Sequence, residues 1–380
     1  MNKQVQLFDL SVSNKSLLEI NKGIKKIISK KDFILGEDVK KFEKRFSNFL
    51  NSQYTLGLNS GTDSLEIALR SLDIGPGDEV IVPSFSFFAS SEVILKTGAQ
   101  PIYCDINLED LTLNLVHLKN IISEKTKAVI AVHLFGNSVD LQRLKNIVSG
   151  QSIYIIEDVA QAFGSTFKDK YLGSIGEFGC FSFYPTKILG AYGDGGFILT
   201  NDYSLFKRIK RIRFYGIETV DTKNKFLNKY YSNENGVNSR LDEIQSSILN
   251  FKLKKIDYFI KRRRELAKIY LNELSATNLI LPKEMINSQH VYHLFTVYHV
   301  KAKAIIAQLK KKNIETRVIY PYPIHKMNAY SKIIHNKKRL INSEIKSKGI
   351  FCLPLYPELK NQEVRTICKN LIKILKDNNY

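Results

Sequence analysis

The chain has 380 residues, 44% hydrophobic and 25% charged, with 20 Gly and 9 Pro, so it carries enough apolar side chain for a large core and is neither disordered nor fibrous. No uncharged apolar stretch approaches the roughly 18 residues a membrane-spanning helix needs, and the N-terminus lacks the basic-then-apolar layout of a signal peptide, so a cytoplasmic protein is expected. Lys plus Arg outnumber Asp plus Glu by 57 to 37, giving +20, a balance that suits nucleic acid, a membrane surface or a small polyanion without choosing among them.

In chain order, five short runs carry the strand signal: 54–58, 79–83, 100–104, 126–132 and 153–157, each flanked by Gly, Pro, Asn or Asp. Two more follow at 178–183 and 196–200, separated by the Gly-rich turn 190–196. Helical periodicity between the runs predicts an α/β layer architecture with a largely parallel sheet. One long helix is predicted over 241–274. It bridges a large domain, 1–250, to a small C-terminal α/β domain within 251–380, whose strand signal lies near 292–300. Residues 223–235 are polar enough for a surface loop.

Cys104, Cys180, Cys352 and Cys368 lie far apart with no C-x-x-C spacing and no neighbouring His cluster, so neither a disulfide framework nor a metal site is expected. Basic residues concentrate in helical stretches such as 25–31, 207–213 and 252–264, without the aromatic interleaving of a single-strand binder. They read as solvated helix faces. A DNA-binding regulator would need a helix-turn-helix or a basic arm, and the sequence has neither, so no nucleic-acid partner is expected.

Three segments carry chemistry. Asn59-Ser60-Gly61-Thr62-Asp63-Ser64 follows a strand and opens an apolar-periodic helix, which makes either a plain N-cap or an anion site of amides and hydroxyls. Glu157-Asp158-Val159-Ala160-Gln161 ends a buried strand at the sheet edge where open α/β folds place ligands. An acid there suits a metal, a general base, a protonated ring nitrogen, or a structural cap. Phe181-Ser182-Phe183-Tyr184-Pro185-Thr186-Lys187 runs a strand into a Pro turn and presents one Lys before the Gly-rich segment; a desolvated lysine there would lose its proton readily, as Schiff-base chemistry requires. His133 and His293, each beside a strand, read as structural groups.

Together and in this order, these are the parts needed to hold pyridoxal phosphate. The chain resembles the DegT/DnrJ/EryC1/StrS family of sugar-nucleotide aminotransferases along nearly its whole length, from Phe33-Ile34-Leu35-Gly36 through Pro83-Ser84-Phe85-Ser86-Phe87, Glu157-Asp158-Val159-Ala160-Gln161-Ala162, Gly193-Asp194-Gly195-Gly196 and Gly236-Val237-Asn238-Ser239-Arg240-Leu241 to Leu353-Pro354-Leu355-Tyr356-Pro357. The resemblance implies the aspartate aminotransferase fold (fold type I), with a mostly parallel mixed seven-stranded sheet and a small C-terminal α/β domain. It implies that Lys187 binds the cofactor aldehyde and carries the proton, that Asp158 pairs with the ring nitrogen, and that Gln161 bonds the ring oxygen. Phe87 would stack on the ring. Gly61, Thr62, Asp63 and Ser182 would hold the phosphate, and Asn238 would reach it from the other subunit of a homodimer. Lys at 187, where related dehydratases carry His, speaks for transamination, with L-glutamate as amino donor.

Two stretches are most similar to the branch that aminates carbon 3 of dTDP-3-keto-6-deoxyhexoses: Gly61-Thr62-Asp63, and Gly236 through Gln245. The segment Tyr320-Pro321-Tyr322-Pro323-Ile324-His325 points the same way. Amination of carbon 4 in a UDP- or GDP-linked 4-keto sugar is the alternative, and surface polysaccharide the natural destination. A pyrophosphate-linked substrate is anionic, which makes Arg213, Lys229, His325 and Lys326 candidate contacts, with Tyr215 and Tyr320 toward sugar or base. Phe163, Phe135 and Ile319 depart from the family's usual His, Tyr and His.

Overall fold

The computed structural model describes residues 4–218, 230–331, 333 and 339–380. Seven strands form the main sheet: β1 (Tyr54–Leu58), β2 (Glu79–Pro83), β3 (Gln100–Cys104), β4 (Thr126–Val132), β5 (Tyr154–Asp158), β6 (Phe178–Ser182) and β7 (Gly196–Thr200). Their order is β1-β7-β6-β5-β4-β2-β3, and only β7 pairs antiparallel with its neighbours. The expected mostly parallel mixed sheet is therefore present.

Alternation along the strands feeds two cores, one on each face. In β4, Val129 and Ala131 enter the core that holds Phe42, Phe46 and Phe181, while Ala128, Ile130 and Val132 enter the one that holds Leu65, Ile67 and Leu69. Phe42 and Phe46 come from α2 (Glu37–Leu50) on one face, and Leu65, Ile67 and Leu69 from α3 (Gly61–Ser71) on the other. A helix α1 (Asn14–Lys30) precedes them and α4 (Ala89–Lys96) follows β2.

The single helix expected over 241–274 is two, Glu243–Leu253 and Ile256–Leu274, interrupted at Lys254 and Lys255. Asp242 starts the first, its carboxylate accepting from the Ile244 and Gln245 amides. Neither Gly nor Pro marks the break. The change of packing partner comes later, within the second helix: Leu249 and Leu253 of the first helix and Ile256 and Ile260 of the second join the first core, whereas Leu266, Ala267, Tyr270 and Leu274 join a third. That third core gathers around the antiparallel strands Phe295–Tyr298 and Ile350–Leu353 and the last helix, Asn361–Asp377. Among the described residues no helix is long and apolar enough to cross a membrane.

One buried charge braces the sheet edge that bears the chemistry. Glu157 in β5 is fully buried, and its carboxylate accepts from the amides of Gly173, Ile175 and Gly176 at 2.7–2.8 Å. His133 Nδ1 accepts from the Val139 amide, which places the ring proton on Nε2, 3.1 Å from Glu157. Burial pulls the Glu157 pKa upward, but the His133 bond and the backbone donors outweigh it and hold the carboxyl below its ordinary value. A carboxyl depressed in the folded state stabilises above its unfolded pKa, and that contribution vanishes as pH falls through the folded value. Glu157→Gln should lose about 2–3 kcal/mol at neutral pH, the worth of hydrogen bonds to a buried charge. Urea denaturation checks this, and the gap between wild type and variant should narrow in acid.

Candidate active site

The carboxyl ends of β2, β4, β5 and β6 reach one edge of the sheet, and so does the end of β1, whose Leu58 pairs with Gly196 at the start of β7. The loops leaving these ends carry Phe87, Phe135, Asp158 with Gln161, Lys187 and the start of α3. Topology alone thus assembles residues spread over more than a hundred positions.

At the β1 end, Ser60 caps α3 by accepting from the Asp63 amide at 3.0 Å. A Cβ on Gly61 would stand 2.7 Å from Ser182 Cβ, and one on Gly196 would stand 2.1 Å from the Ser60 carbonyl carbon. Only glycine lets the start of α3 lean on the end of β6. Ser239 Oγ donates to the Asp63 carboxylate at 2.6 Å and accepts from the Asn59 amide, fixing the turn from behind. The result is a half-buried cradle of Gly61, Thr62, Asp63 and Ser182 at a positive helix end, a fit for a phosphate.

At the β5 end, Asp158 is buried, and its carboxylate accepts from Ser90 Oγ at 2.9 Å and from the Ala160 amide at 3.1 Å. Gln161 Oε1 accepts from the Phe135 amide at 2.9 Å, which dictates the orientation of the side-chain amide and turns Nε2 toward Tyr320, 2.8 Å from its hydroxyl. Tyr320 sits among Phe85, Phe87 and Phe135, with ring centroids 6.1–6.3 Å away. Burial raises its phenol well above the usual value. The phenol therefore keeps its proton.

Lys187 stands on the turn after β6. The turn is closed by hydrogen bonds from the Lys187 amide to the Tyr184 carbonyl and from the Ala191 amide to the Phe183 carbonyl, both 2.8 Å. Burial pushes its amine down to about 8, against the nearby Asp158 carboxylate, which acts to raise it. At pH 7.5 about a quarter of such amines are unprotonated, against about one in a thousand for an ordinary lysine. The edge therefore offers a nucleophilic amine, a fixed carboxylate, an amide with a spare Nε2 proton, an exposed Phe87 face and an anion cradle.

The remaining candidates divide. Arg213 is buried, donating to Glu43 and to the Gly57 carbonyl, both at 3.2 Å. His325 is buried too, with Nδ1 2.7 Å from Ser84 Oγ and Nε2 3.3 Å from Glu344, and Lys326 pairs with the same carboxylate. Arg213 and His325 are thus committed within the fold. Tyr215 and Asn238 are exposed, Asn238 in a bridge to Phe214. Lys229, with 223–228 of the polar loop, lies outside the described residues. The sequence reading missed Ser90, whose bond to Asp158 spans 68 positions; a serine opening the helix after β2 was the available signal. Of the departures, Phe163 stacks on Phe46 at 5.1 Å within the first core.

Two outcomes follow from this geometry. Reductive methylation of Lys187, followed by peptide mass spectrometry, should titrate with a midpoint near pH 8, and Asp158→Asn should move that midpoint lower by removing the charge that favours the ammonium. Gly61→Ala should cost roughly 1–3 kcal/mol through overpacking against Ser182, read as a lower Tm together with weaker phosphate binding.

The profile of the DegT/DnrJ/EryC1/StrS aminotransferase family matches residues 16–372. A dTDP-3-amino-3,6-dideoxy-alpha-D-galactopyranose transaminase of Aneurinibacillus thermoaerophilus is 37% identical over 349 residues, covering 92% of this chain and 93% of its own. GDP-perosamine synthase of Escherichia coli O157:H7 is 33% identical over 345 residues, covering 90% and 91%. The crystal structure of DesV from Streptomyces venezuelae superposes with a TM-score of 0.91 at 32% identity, covering 97% of this chain and 98% of that one. The chain belongs to the DegT/DnrJ/EryC1/StrS aminotransferase family, whose members are PLP-dependent sugar aminotransferases.

Proposed function

We propose that the protein uses pyridoxal phosphate to move an amino group from L-glutamate to carbon 3 of a dTDP-linked 3-keto-6-deoxyhexose. What carries the reading is the single edge that joins a low-pKa lysine, a fixed carboxylate and a phosphate cradle. Bound there, the cofactor supplies an aldehyde for amines and a ring that takes up an electron pair. Asp158, oriented by Ser90 and Ala160, would face the ring nitrogen, and the spare Nε2 proton of Gln161 the ring oxygen. Phe87 would cover the ring, with Gly61, Thr62, Asp63 and Ser182 at the phosphate.

Lys187 moves the proton. Its amine, half of it deprotonated near pH 8, accepts a proton from the donor's α-carbon and returns one to the sugar carbon. Phe85, Phe87, Phe135 and Tyr320 line the same edge with aromatic rings. The same reading includes a homodimer in which Asn238 is offered to the neighbouring subunit's phosphate. Its exposure, and that of Phe33, Ile34, Phe87 and Phe88, supports that part.

Carbon 3 is favoured by the motifs around Gly61 and Asn238 and by the 37% identity to a 3-amino-sugar transaminase. The likeness to GDP-perosamine synthase keeps carbon 4 as the second reading. Purified protein loaded with cofactor should absorb in the visible and lose that band in Lys187→Ala. Incubated with glutamate and a panel of dTDP-3-keto and UDP- or GDP-4-keto sugars, it should aminate the 3-keto compounds; turnover of 4-keto substrates alone would refute the carbon-3 assignment.

A further inference from the structure

A cavity of about 430 Å³ opens beside Lys187, walled by the N-terminal segment 8–16, the Lys187 turn and the two helices that follow residue 242. Six charged residues line it: Lys187, Lys252, Lys255 and Arg263 on one side of the balance, Asp9 and Glu358 on the other. Arg263 is the most buried of the four cations. Its Nη1 donates to the carbonyls of Tyr292, His293 and Leu355 at 3.0–3.3 Å, while its Nε–H is buried and has no partner among the described residues.

Those three bonds hold the guanidinium plane in place without using its Nε edge. An ordered, desolvated guanidinium with an unspent N–H forms its strongest complement with a planar carboxylate, which can take two donors of the fork at once. Lys252 is fixed nearby, its Nζ 2.7 Å from the Gly190 carbonyl and 4.1 Å from the centre of the Tyr192 ring. Lys255 Nζ donates to Ser16 Oγ at 3.1 Å on the facing wall.

Beside the reacting Lys187, three cations face two carboxylates, and this mixed lining selects the ligand. A sugar-nucleotide pyrophosphate has no positive end, so Asp9 and Glu358 would repel it. An acidic amino acid has two carboxylates and one ammonium, so it meets both signs of this lining. Burial and the neighbouring Asp9 charge raise the Glu358 carboxyl, while Arg263 and Lys252 oppose that shift, which places all four groups within one electrostatic cluster.

We propose that the Nε edge of Arg263 is a carboxylate subsite for the amino donor, an acidic L-amino acid, and that Lys252 receives the donor's second carboxylate. The subsite deepens the amino-transfer reading and rests on Lys187 being the reacting amine. Arg263 and Lys252 act here on the donor alone.

Glutarate, a five-carbon dicarboxylate without an amine, is the probe. Calorimetry should detect its binding to the wild-type protein with and without cofactor. Arg263→Lys, which keeps the charge, and Lys252→Gln should each weaken it about tenfold, the loss of one charge-assisted hydrogen bond, with no change in dTDP affinity. In the loaded enzyme both variants should slow the glutamate half-reaction, followed by the cofactor absorbance, and leave the amino-sugar half-reaction intact. If Arg263→Lys fails to fold, Lys252→Gln decides. Glutarate binding unchanged by Lys252→Gln, or dTDP affinity falling in step with glutarate, overturns the proposal. Glutarate binding to a protein whose Lys187 takes no cofactor would sink the transamination reading while sustaining the subsite.

Discussion

The pairing on which the remainder depends is electrostatic: a lysine amine and a carboxylate held near each other where water is scarce. Burial alone would strip Lys187 of its proton, and the Asp158 charge alone would hold the proton on. Their opposition leaves the amine at about 8, where both forms are populated near neutral pH. Ser90 and the Ala160 amide each donate to one of the Asp158 oxygens, which orients the carboxylate and leaves a lone pair open on each, and its charge still reaches the lysine.

Such an arrangement needs a rigid frame, and the sheet supplies it. β5 delivers Asp158 and β6 delivers the Lys187 turn, and these strands are neighbours in parallel register through Glu157–Gly179 and Asp158–Cys180. One residue back, Glu157 points to the opposite face and gathers three amides from the loop that leads into β6. Two adjacent carboxylates thus take separate duties by the twofold alternation of a strand: one ties the backbone, the other faces the chemistry.

Much of this was legible in the sequence because short buried strands are bounded by breakers. The runs at 54–58, 79–83, 100–104, 126–132 and 196–200 are strands with those limits, and 153–157 is displaced by one residue. The Gly61 and Lys187 turns were readable for the same reason: their residue types are demanded locally. Long-range pairing was not readable. Arg213 looked like a free cation until Glu43, 170 positions away, took its guanidinium; His325 looked like a substrate contact until Ser84 and Glu344 enclosed it. The break at Lys254 and Lys255 escaped because neither residue is a local breaker and the apolar pattern runs on through it, with Leu253 and Ile256 in one core.

The fate of the excess positive charge follows the same logic. A net +20 suggested a polyanion, yet several buried or half-buried arginines are consumed by the fold: Arg208 by Asp73 and Glu234, Arg211 by Glu234, Arg264 by Glu284 and the His290 carbonyl. A cation so used adds to the total charge and presents little to a ligand. Charge therefore informs about function only where the lining of a cavity keeps an unspent donor. By that test, composition overstates the protein's appetite for large anions, and the few cations around Lys187, with two acids among them, make a lining of mixed sign.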